Sequence, residues 1–227
     1  GTRSMLSKRK SLNVHISGNR IQSKETVKYL GVLIDQELKW NAHIENMCTR
    51  ISKLVNFLGR LRVFINEYYL KLIYRTIILP LFDYADVVFD SSPQKYTDQL
   101  QKLQNRAGRI ILGIDPYKHI SNHAIHQTLD WESLKSRRVK HTLSLVYKSI
   151  NDLSAPYMQD LFEFVSHQYS LRSDGNLFLP KPHSESCKRM FSYRGASHFN
   201  DLPRDAKSSH SYNSFLKSVD QNISKWI

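Results

Sequence analysis

Apolar and polar positions alternate at the start of the chain and then change period. In SLNVHISGNRIQ, Leu12, Val14 and Ile16 alternate with Asn13, His15 and Ser17. Gly18-Asn19 is a turn signal, after which Ile21 resumes the apolar side. VKYLGVLID, residues 27–35, is a second β-rich run, and Gly31 in its middle marks a bulge or a close backbone approach. From Asn41, a plausible N-cap, the period becomes 3.6. Ile44, Met47, Cys48, Ile51, Leu54, Val55, Leu58 and Leu61 form one helical stripe. A second helix begins near Asn66-Glu67 with Leu70, Ile73, Tyr74 and Ile77 inward, and Pro80 ends or kinks it. Ser92-Pro93 opens another, carrying Leu100, Leu103, Ala107, Ile110 and Ile111. Asp130 caps a further helix over 131–150. Consecutive helices joined by short loops predict a bundle.

After Ala155-Pro156 the texture becomes rich in Ser, Pro and Gly. Short strands are expected at 177–179 and 191–193, the second followed by a short helix, and an amphipathic helix over 212–226 carries Phe215, Leu216, Val219 and Ile223. The predicted class is therefore mostly α: a small β-hairpin region over 1–36, a helical bundle over 37–150 and a mixed α/β tail over 151–227. A hydrophobic content of 41% in 227 residues allows a packed core. Cys48 and Cys187 are too few for a disulfide framework or a zinc ribbon and suit a reducing, intracellular compartment, nuclear or cytoplasmic. No uncharged apolar run approaches the ~18 residues of a membrane span. The helix over 212–226 has mixed charge, which argues against a membrane-surface role.

Candidate chemistry is thin. LFDYADVVFD, residues 81–90, resembles the start of the Tyr-x-Asp-Asp hairpin on which polymerases hold metal ions, but Asp86 is followed by Val87 and no Asp-Asp pair occurs. Its apolar residues fall at helical spacing, so Asp83, Asp86 and Asp90 read as a solvated acidic face of one helix. His119, His123 and His126 stand at i, i+4, i+7, yet no Cys or acid nearby completes a zinc site. No Gly-rich phosphate loop or nucleophile elbow occurs. No metal site, cofactor or catalytic residue is expected, and no catalysis by this chain alone.

Charge changes the picture. Thirty-three Lys and Arg against 20 Asp and Glu give a net charge of +13, and the cations are patterned. Arg50, Lys53 and Arg60 flank the first helix, and Lys71 and Arg75 lie on the second. Lys102, Arg106 and Arg109 recur at i, i+4, i+7, while Lys135, Arg137, Arg138, Lys140 and His141 cluster after Asp130. Any single row is the usual solvated face. The uncompensated set points to a phosphate backbone, whose binding releases counterions and weakens with salt. Tyr68 and Tyr69 could stack on bases, although core packing of at least one is the commoner use.

VKYLGVLIDQELKWNAHI resembles the segment following the catalytic hairpin in reverse transcriptases of non-LTR (LINE-type) retrotransposons, through Tyr29, Leu30, Gly31, Val32, Asp35, Leu38, Trp40, His43 and Ile44. ILPLFDYADVVFD, LQNRAGRIILG and KRMFSYRGASHFNDLP are similar to later segments of that family, with Phe199 where Trp is commoner. The resemblance covers essentially the whole chain. It implies the end of the palm with primer-grip-like Tyr29, Leu30, Gly31 and Val32, then a thumb, then a tail. TRSML, residues 2–6, resembles a motif placed just after the catalytic hairpin, so the fingers, most of the palm and the catalytic carboxylates with their Mg2+ are expected upstream. Implied partners are an RNA template, RNA–DNA hybrid or DNA, and the remainder of the polymerase, with no membrane. A helical protein-interaction module derived from such an element is the alternative.

Overall fold

The computed structural model describes residues 14–115, 117–165 and 175–223. Helices dominate, and the strands form two antiparallel hairpins, so the class is mostly α. Strand β1 (Val14–Ile16) pairs with β2 (Asn19–Ile21), and β3 (Thr26–Tyr29) with β4 (Val32–Asp35). Both turns have consecutive positive φ, at Ser17-Gly18 and at Leu30-Gly31, which matches the right-handed twist of the strands. Gly31 is thus a hairpin turn residue and not a mid-strand bulge. The first hairpin turns one residue earlier than Gly18-Asn19, since Asn19 already pairs with Ile16.

Helices α1 (Asn41–Leu61), α2 (Glu67–Ile73), α3 (Leu79–Asp83) and α5 (Gln94–Leu112) build one compact unit with the hairpins. That unit comprises residues up to Ala85 together with Ser92–Ile125. Its core is Ile44, Met47, Ile51, Val55 and Leu58 of α1, Leu70, Tyr74, Ile78 and Phe82, and Leu100, Ala107 and Ile111 of α5. A π turn, Tyr74–Ile78, joins α2 to α3. Pro80 lacks an N–H and crowds the carbonyl one turn back, and the widened turn ahead of it absorbs that conflict. The inward register steps by four each time, so Ile78 is buried and Ile77, expected inward, is exposed.

The turn into α1 is made by Asp35. Its carboxylate accepts from the backbone N–H of Glu37, Lys39 and Trp40 at 3.0, 3.1 and 2.6 Å. Trp40, buried and left-handed, therefore stands at the cap position expected for Asn41, which is the first helical residue. The helix expected from Ser92-Pro93 starts at Gln94, with Pro93 at the cap and no side-chain bond there.

Segment Asp86–Ser91 and residues from His126 onward form the second unit. Here lie α4 (Asp86–Phe89), α7 (Leu134–Ile150), α8 (Pro156–Gln159), α9 (Glu185–Lys188), α10 (Phe191–Asn200), α11 (Arg204–Lys207) and α12 (Tyr212–Asn222); α6 (Asn122–Leu129) is divided between the two units at Ile125. The boundary near 150 drawn from the sequence does not coincide with this division. Val139, Leu143, Val146 and Tyr147 of α7 pack with Phe162, Phe199, Phe215 and Val219, so α7 belongs to the tail core. Tyr147 stacks on Phe215 at 4.4 Å.

Several local expectations are corrected. Asp130 closes α6 in the left-handed region, where Trp131 N–H reaches back to the His126 carbonyl at 2.9 Å, and Ser133 caps α7 instead. Residues 191–193 are helical, because Gly195, Ala196 and Phe199 bury one face of α10. At 177–179 there is an isolated bridge, Leu177 to Phe164, held by the Asn200 side chain, which accepts from Leu177 N–H at 2.7 Å and donates to its carbonyl at 2.8 Å. Leu12 and Trp226 lie outside the described residues.

The acidic stretch is not one solvated face. The chain breaks at Tyr84-Ala85, where Ala85 has φ 55°, so Asp86 and Asp90 start a new segment. Asp86 is buried and contacts His141 Nδ1 at 2.6 Å. Asp90 accepts from Arg138 Nε at 2.8 Å and also pairs with Arg194, whose guanidinium donates to the Val87 carbonyl at 3.1 Å.

Three consequences are measurable. Gly195 lies against α7 so closely that a Cβ would stand 2.7 Å from Val146 Cγ2, whereas at Gly59 it would meet Ile110 at an ordinary 3.6 Å. Gly195→Ala is expected to cost about 1–3 kcal/mol and Gly59→Ala to be neutral or stabilising by up to about 1 kcal/mol, read as opposite shifts in thermal midpoint. Asp90→Ala strands two largely buried guanidinium groups and should cost about 3–5 kcal/mol by denaturant unfolding. Finally, Leu33 N–H donates to His43 Nδ1 at 3.4 Å, which requires a neutral ring, and burial holds the His43 pKa below its ordinary value. The folded state then resists protonation more than the unfolded state, so this contribution is complete above pH 6.5 and is lost as pH falls below it. Part of the fall in midpoint on acidification should disappear in His43→Asn, whose side-chain oxygen still accepts; an identical fall would contradict this role.

Candidate nucleic-acid interface

The primer-grip-like residues form the tip of the second hairpin. Tyr29, Leu30 and Gly31 are exposed, and Val32 is buried. Leu30 sits at φ 45°, a region that costs a branched residue of order 1 kcal/mol. The strained turn is tied down from α3: the Tyr84 hydroxyl donates to the Leu30 carbonyl at 2.5 Å, and a Cβ on Gly31 would lie 3.6 Å from the Tyr84 ring. Sequence reasoning missed Tyr84, and its only signal was the Tyr in the segment after Pro80. Beneath the tip is a cavity of about 330 Å³, lined by Gly31, Met47, Arg50, Ile51, Leu81 and Tyr84 among others. Its walls are largely apolar, with the Arg50 guanidinium as its cationic group.

The cations expected on the helices separate into exposed and internally used groups. Lys53 and Arg60 are exposed on α1, with Asn56 between them at spacings of three and four. Lys102 and Arg106 are exposed on α5. Arg106 donates to Asn56 Oδ1 at 2.7 Å, which brings the α5 row alongside the α1 row. Lys53, Arg60, Lys102 and Arg106 thus flank one seam. Arg75 is exposed on the π turn, and Lys71 pairs with Glu67 at 2.6 Å, an exposed helix pair that water largely screens.

Other expected cations are committed elsewhere. Arg109, one helical turn beyond Arg106, turns away to the 118–120 loop and donates to the carbonyls of Ile120 at 2.6 Å and Lys118 at 3.3 Å. In the second unit Arg138 is buried on Asp90, and Lys140 pairs with Glu132 and, at 2.5 Å, with Asp220. Both carboxylates raise the Lys140 pKa against the opposing effect of burial. Arg137 is half-buried beside them in sequence. Arg138 and Lys140 therefore hold the tail core together and are not presented to a phosphate. Spacing alone could not separate them from the exposed rows, because Asp90, the partner of Arg138, and Asp220, one of the two partners of Lys140, are remote in sequence.

His123 and His126 stand on α6, while His119 precedes it, so the three do not share one helical face. Tyr68 and Tyr69, expected to be core in part, are both exposed, with rings 5.3 Å apart and nearly perpendicular. No helix among the described residues is long and apolar enough to cross a membrane.

No protein-family profile matches the chain, and no solved structure does. Over 135 residues the chain is 24% identical to a Drosophila melanogaster protein described as a probable RNA-directed DNA polymerase from transposon X-element. That match takes in 57% of this chain but 14% of the longer protein. The similarity is distant, and it relates the chain to a transposon RNA-directed DNA polymerase.

Proposed function

We propose that this chain is the template–primer-holding part of a non-LTR retrotransposon reverse transcriptase: the end of the palm, the thumb and the tail. The observation that carries this reading is the Arg106–Asn56 bond, which sets two cationic rows side by side on adjoining helices. Lys53, Arg60, Lys102 and Arg106 bear on successive phosphates of an RNA–DNA hybrid or RNA template, with Lys71 and Arg75 on the next helical segment. Contacts of this kind read backbone charge and shape and tolerate any sequence. The Tyr29–Val32 tip, held by Tyr84, positions the primer end. The X-element relative supports the polymerase assignment, since its description names that activity. Catalytic carboxylates and their Mg2+ belong to the remainder of the polymerase, and this chain takes no cofactor of its own.

The reading is tested by binding isotherms for RNA–DNA hybrid across a salt series. Wild-type affinity should fall steeply with salt. Replacing Lys53, Arg60, Lys102 and Arg106 with Glu should weaken binding and reduce the magnitude of the log–log salt slope by about 3.6, given roughly 0.9 for each of four neutralised phosphates. Arg109 is left in place because it anchors a loop. An unchanged slope and affinity would favour a helical protein-interaction module instead.

A further inference from the structure

The corner between α1 and α2 carries a surface that phosphate binding does not account for. Val63 and Phe64 are 84% and 82% exposed, Tyr68 and Tyr69 are 69% and 52% exposed, and Leu72 follows on the same short stretch. Soluble proteins scatter single apolar residues on their surface; a run of large ones within one corner marks an interaction site. The local structure keeps these rings out. Phe64 N–H and Ile65 N–H both reach back to the Leu61 carbonyl, at 2.8 and 3.1 Å, which turns the chain sharply off α1. Asn66 then caps α2 by accepting from Tyr69 N–H at 3.3 Å, which fixes where the two tyrosines leave the helix. The two rings meet edge to face at 78°, and both side chains stay more than half exposed.

Charge selects the occupant. The corner follows the cationic seam along the chain: Arg60, whose guanidinium lies 5.8 Å from the centre of the Phe57 ring, stands three residues before Val63 at the end of α1. Lys71 and Arg75 follow the tyrosines along the chain. Aromatic faces interleaved with cations are what an unpaired strand requires: bases stack on rings, and neighbouring phosphates meet ammonium or guanidinium groups. A duplex keeps its bases stacked on one another and has no use for the rings. Resting on the function proposed above, we infer that this corner is a stacking platform for an unpaired stretch of nucleic acid adjoining the hybrid, with Phe64, Tyr68 and Tyr69 meeting bases and Arg60 and Lys71 meeting phosphates.

The test uses the whole chain and two probes, a blunt RNA–DNA hybrid and the same hybrid with a single-stranded RNA overhang. The wild type should prefer the overhang probe by at least about tenfold, and Phe64→Ala/Tyr68→Ala/Tyr69→Ala should abolish that preference. Blunt-hybrid affinity and its salt slope should stay unchanged, because stacking releases no counterions. Tyr68→Phe/Tyr69→Phe should keep the preference, since rings and not hydroxyls supply it. The thermal midpoint of the triple variant checks that these exposed side chains leave the fold intact. Blunt binding without an overhang preference, or a preference that survives the triple variant, overturns the platform and leaves the clamp standing. Failure to bind either probe overturns both. Loss of binding to anionic lipid vesicles in the triple variant, with overhang preference retained, would assign the corner to a membrane surface and overturn the inference.

Discussion

One face of α1 is consumed by its own packing. Ile44, Met47, Ile51, Val55 and Leu58 are all buried, and each such side chain contributes on the order of 1.5–3 kcal/mol on leaving water. An exposed pair such as Lys71–Glu67 contributes about 0–1 kcal/mol. The stripe therefore sets the rotation of the helix, and the polar face follows. With the stripe fixed inward, Lys53, Asn56 and Arg60 have nowhere to go but the opposite side. There Asn56 receives Arg106 from α5. The cationic seam is thus a by-product of core register: shifting α1 by one residue would bury charges and dissolve the seam together.

The same stripe seats the hairpin. Its first members, His43 and Ile44, sit directly after the Asp35-organised turn and buried Trp40. Of the nine residues that carry the resemblance, Leu30, Gly31, Val32, Asp35, Trp40 and His43 then have physical roles at one joint. Gly31 and Leu30 make the left-handed turn, Val32 buries, Asp35 gathers amides, Trp40 fills the joint and His43 accepts from Leu33. Such a set holds a two-stranded ribbon that would be marginal by itself. The tip it supports carries backbone strain at Leu30, and strain persists where surrounding structure over-determines it. Tyr84, reaching across from α3, is part of that over-determination.

What was legible in the sequence was periodic, and what was not was long-range. The helical stripes of α1, α5 and α12 and the first hairpin follow from spacing and turn residues, whereas the second hairpin reads in sequence as one run with a bulge at Gly31. The π turn did not follow, because its cause, Pro80, was visible but its effect on register was not, and Ile77 rather than Ile78 looked inward. Residues 191–193 looked like a strand because Phe and Tyr favour strands; tertiary packing of Gly195 against Val146 decided for helix. Among the cations, local spacing offers no means of sorting. Arg138 and Arg106 have the same helical setting locally, yet one finds Asp90 and the other finds solvent and Asn56. Asp86 and Asp90 misled for the same reason, since a carboxylate's partner is set by the fold and not by its neighbours in the chain.

Arg138 and Arg194 on Asp90 also set a limit on reading net charge as function. A chain with an excess of 13 positive charges must still neutralise the guanidinium groups it buries, because an unpaired charge out of water costs several kcal/mol. In the second unit Asp90 serves Arg138 and Arg194 in this way, and Glu132 and Asp220 serve Lys140. In the first unit Arg106 answers to Asn56, an uncharged amide, and keeps its charge available. Phosphates attracted to such a seam bind over distances of about a Debye length, ~8–10 Å at ordinary salt, and without regard to sequence or strandedness. Ring faces act only on contact and only on bases that are unstacked. A seam and a corner that meet at Arg60 therefore impose different conditions on one ligand, charge along its backbone and exposed bases at its edge, and a nucleic acid with a duplex-to-single-strand junction meets both.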